Sequence, residues 1–166
     1  MTQRRAEGVD VRQIVSTDYE RWLVLWEGYN AFYGRAGPTA LPAEITQSTW
    51  ARLQDSQEPV HGLVAVLNRE VVGLVHYIFH RSTILLAPTC YLQDLFTSAE
   101  ARGKGVGRAL IEGVYHQASI AGSTRVYWQT HESNKAARRL YDSISEHSGF
   151  IVYRTDLLVP RREHMR

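Results

Sequence analysis

The sequence predicts a mixed-sheet α/β domain, and three observations carry that prediction. Residues 60–67 and 71–79 are almost continuously apolar and separated only by Asn68-Arg69-Glu70, the pattern of a hairpin buried on both faces. Strand-like and helix-like segments interleave in the order β-α-α-β-β-β-α-β-α-β-β. Between a strand-like and a helix-like run, the heptapeptide Arg102-Gly-Lys-Gly-Val-Gly-Arg108 forms a junction nearly without side chains.

The elements follow in chain order. Residues 9–15 alternate apolar and polar as a half-buried strand does. Asp18 is placed to cap the next helix, whose face comprises Tyr19, Trp22, Leu23, Trp26, Asn30 and Tyr33. Residues 34–42 form a turn-rich connection. A second helix is expected over 43–54, with Ile45, Thr49 and Leu53 spaced four apart. After the hairpin come a strand at 89–97, the glycine loop, and a helix to about Ala121 carrying Val106, Ala109, Leu110, Gly113 and Val114. A strand at 124–130 and a helix at 134–147, with Ala137, Leu140, Tyr141 and Ile144 on one side, follow. Two short strands near 150–153 and 155–159 end the pattern.

The 166 residues, 44% hydrophobic, suit one domain over 1–166, with the basic tail 160–166 peripheral. A net charge of +2 argues against general nucleic-acid binding. The lone Cys90 excludes an internal disulfide and suits a reducing compartment, so a cytoplasmic location is expected. No apolar stretch reaches about 18 residues and the N-terminus is polar, which gives no membrane span and no secretory signal.

The glycine loop is an anion site by its chemistry. Glycines at alternate positions let backbone N–H groups crowd around a ligand, the following helix adds its N-terminal N–H groups and dipole, and Arg102, Lys104 and Arg108 add positive charge. It is not a Walker loop, because Gly105 follows Lys104 where a hydroxyl residue is needed. Nor is it a dinucleotide fingerprint, whose third glycine would fall at Arg108. Phosphate or pyrophosphate remains.

With that element order, the loop resembles the pyrophosphate loop of the GNAT superfamily of acetyl-CoA-dependent N-acetyltransferases, (Gln/Arg)-x-x-Gly-x-(Gly/Ala). Tyr91-Leu-Gln-Asp-Leu-Phe-Thr97 is similar to that family's fourth strand. Asn134-Lys-Ala-Ala-Arg-Arg-Leu-Tyr141, leading to Ser148-Gly149-Phe150, is similar to its Asn-x-x-Ala-x-x-Leu-Tyr…Gly-Phe segment. Within the superfamily the chain looks most similar to the polyamine and small-amine branch. The resemblance implies a mostly antiparallel central sheet with helices on both faces. It implies an N-acetyltransferase that uses acetyl-CoA and moves acetyl directly to a primary amine of a small molecule through a ternary complex, in a homodimer. Protein or peptide N-acetylation, and a non-catalytic acyl-CoA-binding domain, are the alternatives.

Residue roles follow from the same resemblance. Arg102, Gly103, Lys104, Gly105, Val106, Gly107 and Arg108 would hold the pyrophosphate. Leu95, Phe96 and Thr97 would flank the pantetheine arm, and the Leu95 N–H would stabilise the thioester oxyanion. Asn134 and Ala137 would contact the cofactor. Tyr141 would protonate the departing thiolate, although its residue pattern alone reads as a core aromatic.

An alkylammonium has a pKa of about 10.4, so a proton acceptor is needed. Relatives in that branch often carry Glu-Asp in the fourth strand; here the pair is Gln93-Asp94, and Gln93 cannot take a proton. A water positioned by Gln93 is the first candidate and Asp94 the second, with Glu27 and His131 as further titratable groups. Trp22, Trp26, Tyr29, Tyr33 and Trp50 lie in segments that wall the acceptor site in the family. Trp22, Trp26 and Tyr33 read as anchors of the first helix, whereas Glu27 and Tyr29, off that stripe, together with Gln93 and Trp128, are the substrate-side candidates. His76 and His80 lie on a strand without ligand partners, so no metal site is expected. Cys90 has no neighbouring activator and no nucleophile motif surrounds it.

Overall fold

A computed structural model describes residues 8–157. The chain divides into two compact units, one through Gln129 and one from Thr130.

In the first unit a five-stranded sheet runs in the order β1 (Val9–Gln13), β2 (Val60–Leu67), β3 (Glu70–His80), β4 (Thr89–Thr97), β5 (Val126–Tyr127). All neighbours are antiparallel except β4 and β5, which pair in parallel at Cys90 and Tyr91 only. The expected central hairpin is present, and Asn68 and Arg69 turn it with φ of 52° and 67°. That two-residue, left-handed geometry matches the twist of the strands it joins.

The sheet carries helices on both faces. On one lies α1 (Tyr19–Phe32), which buries Trp22, Leu25, Trp26, Tyr29 and Asn30, an i, i+3, i+4, i+7, i+8 stripe. That stripe packs with Ile14, Val64, Val71 and Leu74. Tyr29, expected off the stripe, is part of it. The helix ends at Gly34, whose φ of +75° lets Gly34 N–H reach the Ala31 carbonyl at 3.0 Å and Arg35 N–H reach the Asn30 carbonyl at 2.9 Å. Arg35 is thereby folded back onto α1, where its Nε donates to Asn30 Oδ1 at 2.7 Å.

On the same face α2 (Ala43–Gln54) turns Thr46, Trp50 and Leu53 inward, and Ile45 is exposed, contrary to the expected stripe. The face is shifted because Trp26 Nε1 donates to Thr46 Oγ1 at 3.1 Å, fixing the rotation of α2. On the other face α3 (Val106–Ile120) buries Val106, Leu110, Ile111, Val114 and Ala118. It lies close to the strands because a Cβ on Gly113 would come 2.8 Å from Val11, and one on Gly73 would come 2.8 Å from Val106.

Three further expectations are corrected. Asp18 does not cap α1; its carboxylate takes Arg12 Nη1 and Nη2 at 2.7 and 2.8 Å and the Val15 N–H at 2.9 Å. The expected 124–130 strand shrinks to two residues, since β4 offers β5 only Cys90 and Tyr91 before the strands part. The expected strand near 150–153 is absent: Phe150, Ile151, Val152 and Tyr153 are exposed and unladdered, and apolar side chains without a main-chain partner do not make a strand. Of 155–159, residues 158–159 lie outside the described region.

In the second unit α4 (Lys135–Tyr141) is capped by Asn134, whose side chain accepts the Ala137 N–H at 3.4 Å. The helix is shorter than the expected 134–147. Ser143 Oγ donates to the Leu140 carbonyl at 2.6 Å, and local bonding of this kind competes with helix continuation. Among the described residues no helix is long and apolar enough to cross a membrane.

The Arg12–Asp18 pair gives a stability prediction. The hydrogen-bonded guanidinium holds the Asp18 carboxyl below its ordinary range, against burial that pushes the other way. The resulting stability is fully present above the unfolded value of about 3.9 and is lost as pH falls through the lower folded value. Asp18→Asn is therefore expected to lower unfolding free energy by about 1–2 kcal/mol at neutral pH and to flatten its acid dependence, read by urea titration at several pH values.

Candidate active site

The loop after β4 has the geometry an anion needs. Gly103 and Gly105 take φ of +76° and +81°, and Gly105 is the N-cap of α3 with no side chain covering it. The first intrahelical bond of α3 is Ala109 N–H to the Gly105 carbonyl at 3.0 Å, so the first-turn N–H groups point out of the helix end. A Cβ on Gly103 would meet nothing within 4 Å, so the loop's surface is open to a ligand. Arg102 and Lys104 are exposed there, with the Arg102 guanidinium 6.0 Å over the Phe96 ring. Phe96 in turn presses on α1, where a Cβ on Gly28 would come 2.8 Å from its ring. The loop, the end of β4 and α1 are thus packed as one piece.

Leu95, Phe96 and Thr97 are half-buried on β4, beyond the short pairing with β5. One edge of β4 is therefore left without a strand partner among the described residues, and an extended ligand arm could lie along it.

Upstream of that edge β4 carries a β-bulge. His76 pairs with Asp94 and Tyr77 with Leu92, so Gln93 is the extra residue. The bulge leaves Gln93 exposed and turns Asp94 inward. Asp94 is 8% exposed and His76 2%. Asp94 Oδ2 lies 2.9 Å from His76 Nδ1, and Trp22 Nε1 donates to His76 Nε2 at 2.9 Å. Burial first, then the neighbouring Asp94 carboxylate, pushes the Tyr29 phenol well above its ordinary pKa. Tyr29 consequently stays protonated beside that carboxylate.

Above this chain stands an aromatic wall. Successive rings along α1 and its end lie 6.1 Å (Tyr19–Trp22), 5.8 Å (Trp22–Trp26), 5.6 Å (Trp26–Tyr29) and 5.1 Å (Tyr29–Tyr33) apart. The Arg35 guanidinium lies 5.8 Å from the Tyr29 ring centre and 5.4 Å from that of Tyr33. Burial and Asp94 raise the Tyr33 phenol, and Arg35 opposes that rise. The carboxylate and the guanidinium thus act on the same pair of tyrosines.

Of the substrate-side candidates, Tyr29 stands on Asp94. Glu27 points outward from α1, and Gln93 is the exposed bulge residue. Trp128 lies 6.4 Å from the Tyr115 ring of α3, on the helix that covers the opposite face. Asn134, Ala137 and Tyr141 belong to the second unit, on α4 and its cap. His131 is exposed and bonded to Ser133 Oγ at 2.6 Å. Burial raises the Cys90 thiol to about 12, which leaves it inert as a nucleophile. Sequence reasoning missed His76 as a partner of Asp94 and missed Arg35 altogether. The signal for His76 was a lone imidazole inside the doubly buried run Val-Val-Gly-Leu-Val-His-Tyr-Ile-Phe, where a polar group requires a partner.

A mixed sheet whose fourth strand runs into a glycine-lined helix start, beside a buried carboxylate under aromatic walls, is an α/β architecture with an anion-binding loop next to a candidate base. Residues 22–144 match the model of the acetyltransferase (GNAT) family, and the chain belongs to that family. It is accordingly an N-acetyltransferase that uses acetyl-CoA. It is 33% identical over 146 residues to a D-amino-acid N-acetyltransferase of Saccharomyces cerevisiae, covering 87% of this chain and 88% of that protein. A thialysine N-epsilon-acetyltransferase of Caenorhabditis elegans is 26% identical over 58% of this chain and 63% of its own length. Among solved structures, a probable acetyltransferase superposes with a TM-score of 0.77 at 21% identity, over 90% of this chain and 99% of that one.

Proposed function

We propose that the protein transfers acetyl directly from acetyl-CoA to the primary amine of a small amino acid, within a ternary complex. The observation that carries this reading is Asp94, buried at the foot of the aromatic wall and hydrogen-bonded to His76, with the cationic Arg35 over Tyr29 and Tyr33. An amine entering there meets a carboxylate that accepts its proton, and the acceptor's own carboxylate meets a guanidinium fork. A polyamine is the competing acceptor class. Arg35 disfavours it, because a second ammonium would face a like charge.

Bound acetyl-CoA supplies the activated thioester. The chain's own groups do the rest. Backbone N–H groups of 103–108 hold the pyrophosphate, with Arg102, Lys104 and Arg108 adding charge. The β4 edge at Leu95–Thr97 aligns the donor arm, and the Leu95 N–H faces the developing oxyanion. Asp94 accepts the ammonium proton; the amine lone pair forms the C–N bond as the C–S bond breaks, the nitrogen sheds its second proton to solvent, and Tyr141 protonates the leaving thiolate and is reprotonated from solvent. Asn134 and Ala137 flank the cofactor. The family match runs across the boundary between the two units, which supports reading 1–166 as one catalytic domain.

The test is a thiol-release screen with acetyl-CoA against D- and L-amino acids, their amides, polyamines and aminoglycosides. Free amino acids are expected to exceed their own amides in kcat/KM by about tenfold or more, the difference one charged hydrogen-bonded contact makes. Arg35→Gln is expected to abolish that preference. Equal turnover of acid and amide would remove Arg35 from substrate recognition.

A further inference from the structure

The polar chain under the aromatic wall has a direction. An indole N–H can only donate, so His76 Nε2, 2.9 Å from Trp22 Nε1, is an acceptor and carries no proton. The one N–H of a neutral imidazole is then on Nδ1, donated to Asp94 Oδ2 at 2.9 Å. A second proton on His76 would oppose N–H to N–H in a site where Trp22 is fully buried. Both rings are enclosed: Trp22 stacks on Trp26 at 5.8 Å and lies 4.8 Å from Trp50, and His76 is buried with the Trp22 and Trp26 rings 6.0 and 5.4 Å away.

We propose that Trp22 and His76 are positioning residues: by locking His76 in the Nδ1–H tautomer they aim the Asp94 carboxylate and stop the substrate's proton from passing beyond it. The inference rests on Asp94 being the base, as argued above. The order is the reverse of the triad in which a carboxylate orients a catalytic imidazole. Here the imidazole orients a catalytic carboxylate. A carboxylate offers about four lone-pair sites, so the bond from His76 leaves room for the amine proton. In the transfer step that proton goes from nitrogen to Asp94 and later to solvent, while the protons of His76 stay where they are.

The groups whose charge bears on this pair are few. From α1 and its end come Tyr29, Tyr33 and Arg35, and from β4 comes Tyr91, which also feels Asp94. From β2 the facing residue is Gly62, and the nearest α2 residues are the uncharged Trp50 and Leu53.

Nitrogen-15 NMR of the whole, histidine-labelled protein tests the tautomer without any variant. His76 is expected to show Nδ1 protonated and Nε2 bare, as its two hydrogen bonds require. In Trp22→Phe the bond that fixes the tautomer is lost, so the Nε2–H form is expected to become populated and kcat for the amine to fall by about tenfold or more. His76→Asn places its amide nitrogen near the Nδ1 position and is expected to keep kcat within about threefold, whereas His76→Gln, reaching only the Nε2 position, loses about tenfold or more. An Nε2–H tautomer in the wild-type protein overturns the proposal. So does an unchanged kcat in all three variants. Full activity in Asp94→Asn with the tautomer intact would instead overturn the reading of Asp94 as the base on which the proposal rests.

Discussion

Asp94→Asn is expected to lower kcat by about 10²–10⁴-fold, the usual contribution of a positioned base, while leaving acetyl-CoA affinity unchanged. The variant keeps an oxygen that can accept from His76 Nδ1–H, so the fold and the aromatic wall are retained. What is lost is the capacity to hold a proton. Turnover in the variant should then follow the free neutral amine and climb about tenfold per pH unit toward the acceptor amine's own pKa. Isothermal titration with acetyl-CoA and a pH–rate profile read the two effects separately. A wild-type profile in Asp94→Asn would return the proton to a water held by Gln93, and Gln93→Ala would then be the damaging substitution. The structure argues for the first outcome, because the bulge turns Gln93 out and Asp94 in.

That bulge also shows why part of the site was legible in the sequence and part was not. The glycine loop, the central hairpin and the core of the α3 face at Val106, Leu110 and Val114 follow from residue type and spacing alone, since backbone freedom and apolar periodicity are local properties. The α1 face, by contrast, is rotated to bury Leu25 and Tyr29 and leave Tyr19 and Tyr33 exposed. The choice between Gln93 and Asp94 is not local. Strict alternation puts the two on opposite faces, but which face meets α1 depends on the register against β3 and on the residue inserted at Gln93. His76 and Arg35 were missed for related reasons. A histidine in an apolar run declares that a partner is needed, but the partner, Asp94, is 18 residues away. Arg35 reaches Tyr29 only because Gly34 closes α1 with a left-handed turn. The failed terminal strand at 150–153 is the converse case, in which a strand-like composition has no partner to ladder with.

Gly105→Val is expected to weaken acetyl-CoA binding by about 10–100-fold, and the reasons are separable. A side chain at φ of +81° costs about 1–2 kcal/mol in backbone strain, and a β-branched residue tolerates that region worst. The strain is relieved only by moving the peptide units that open α3, which are the N–H groups an anion would use. Each 1.4 kcal/mol of lost binding is about a tenfold loss of affinity. Lys104→Ala removes a charge at the same loop without touching the backbone, so its effect is expected to be smaller and to shrink with added salt. Isothermal titration of both variants at two ionic strengths distinguishes the contributions, and a urea titration of Gly105→Val measures the strain independently. If Gly105→Val bound acetyl-CoA as tightly as the wild type while losing stability, the loop's left-handed turn would serve the chain's path alone and the pyrophosphate would have to be held elsewhere. If instead affinity and stability fall together, the conformation that only glycine adopts at position 105 is what shapes the anion site.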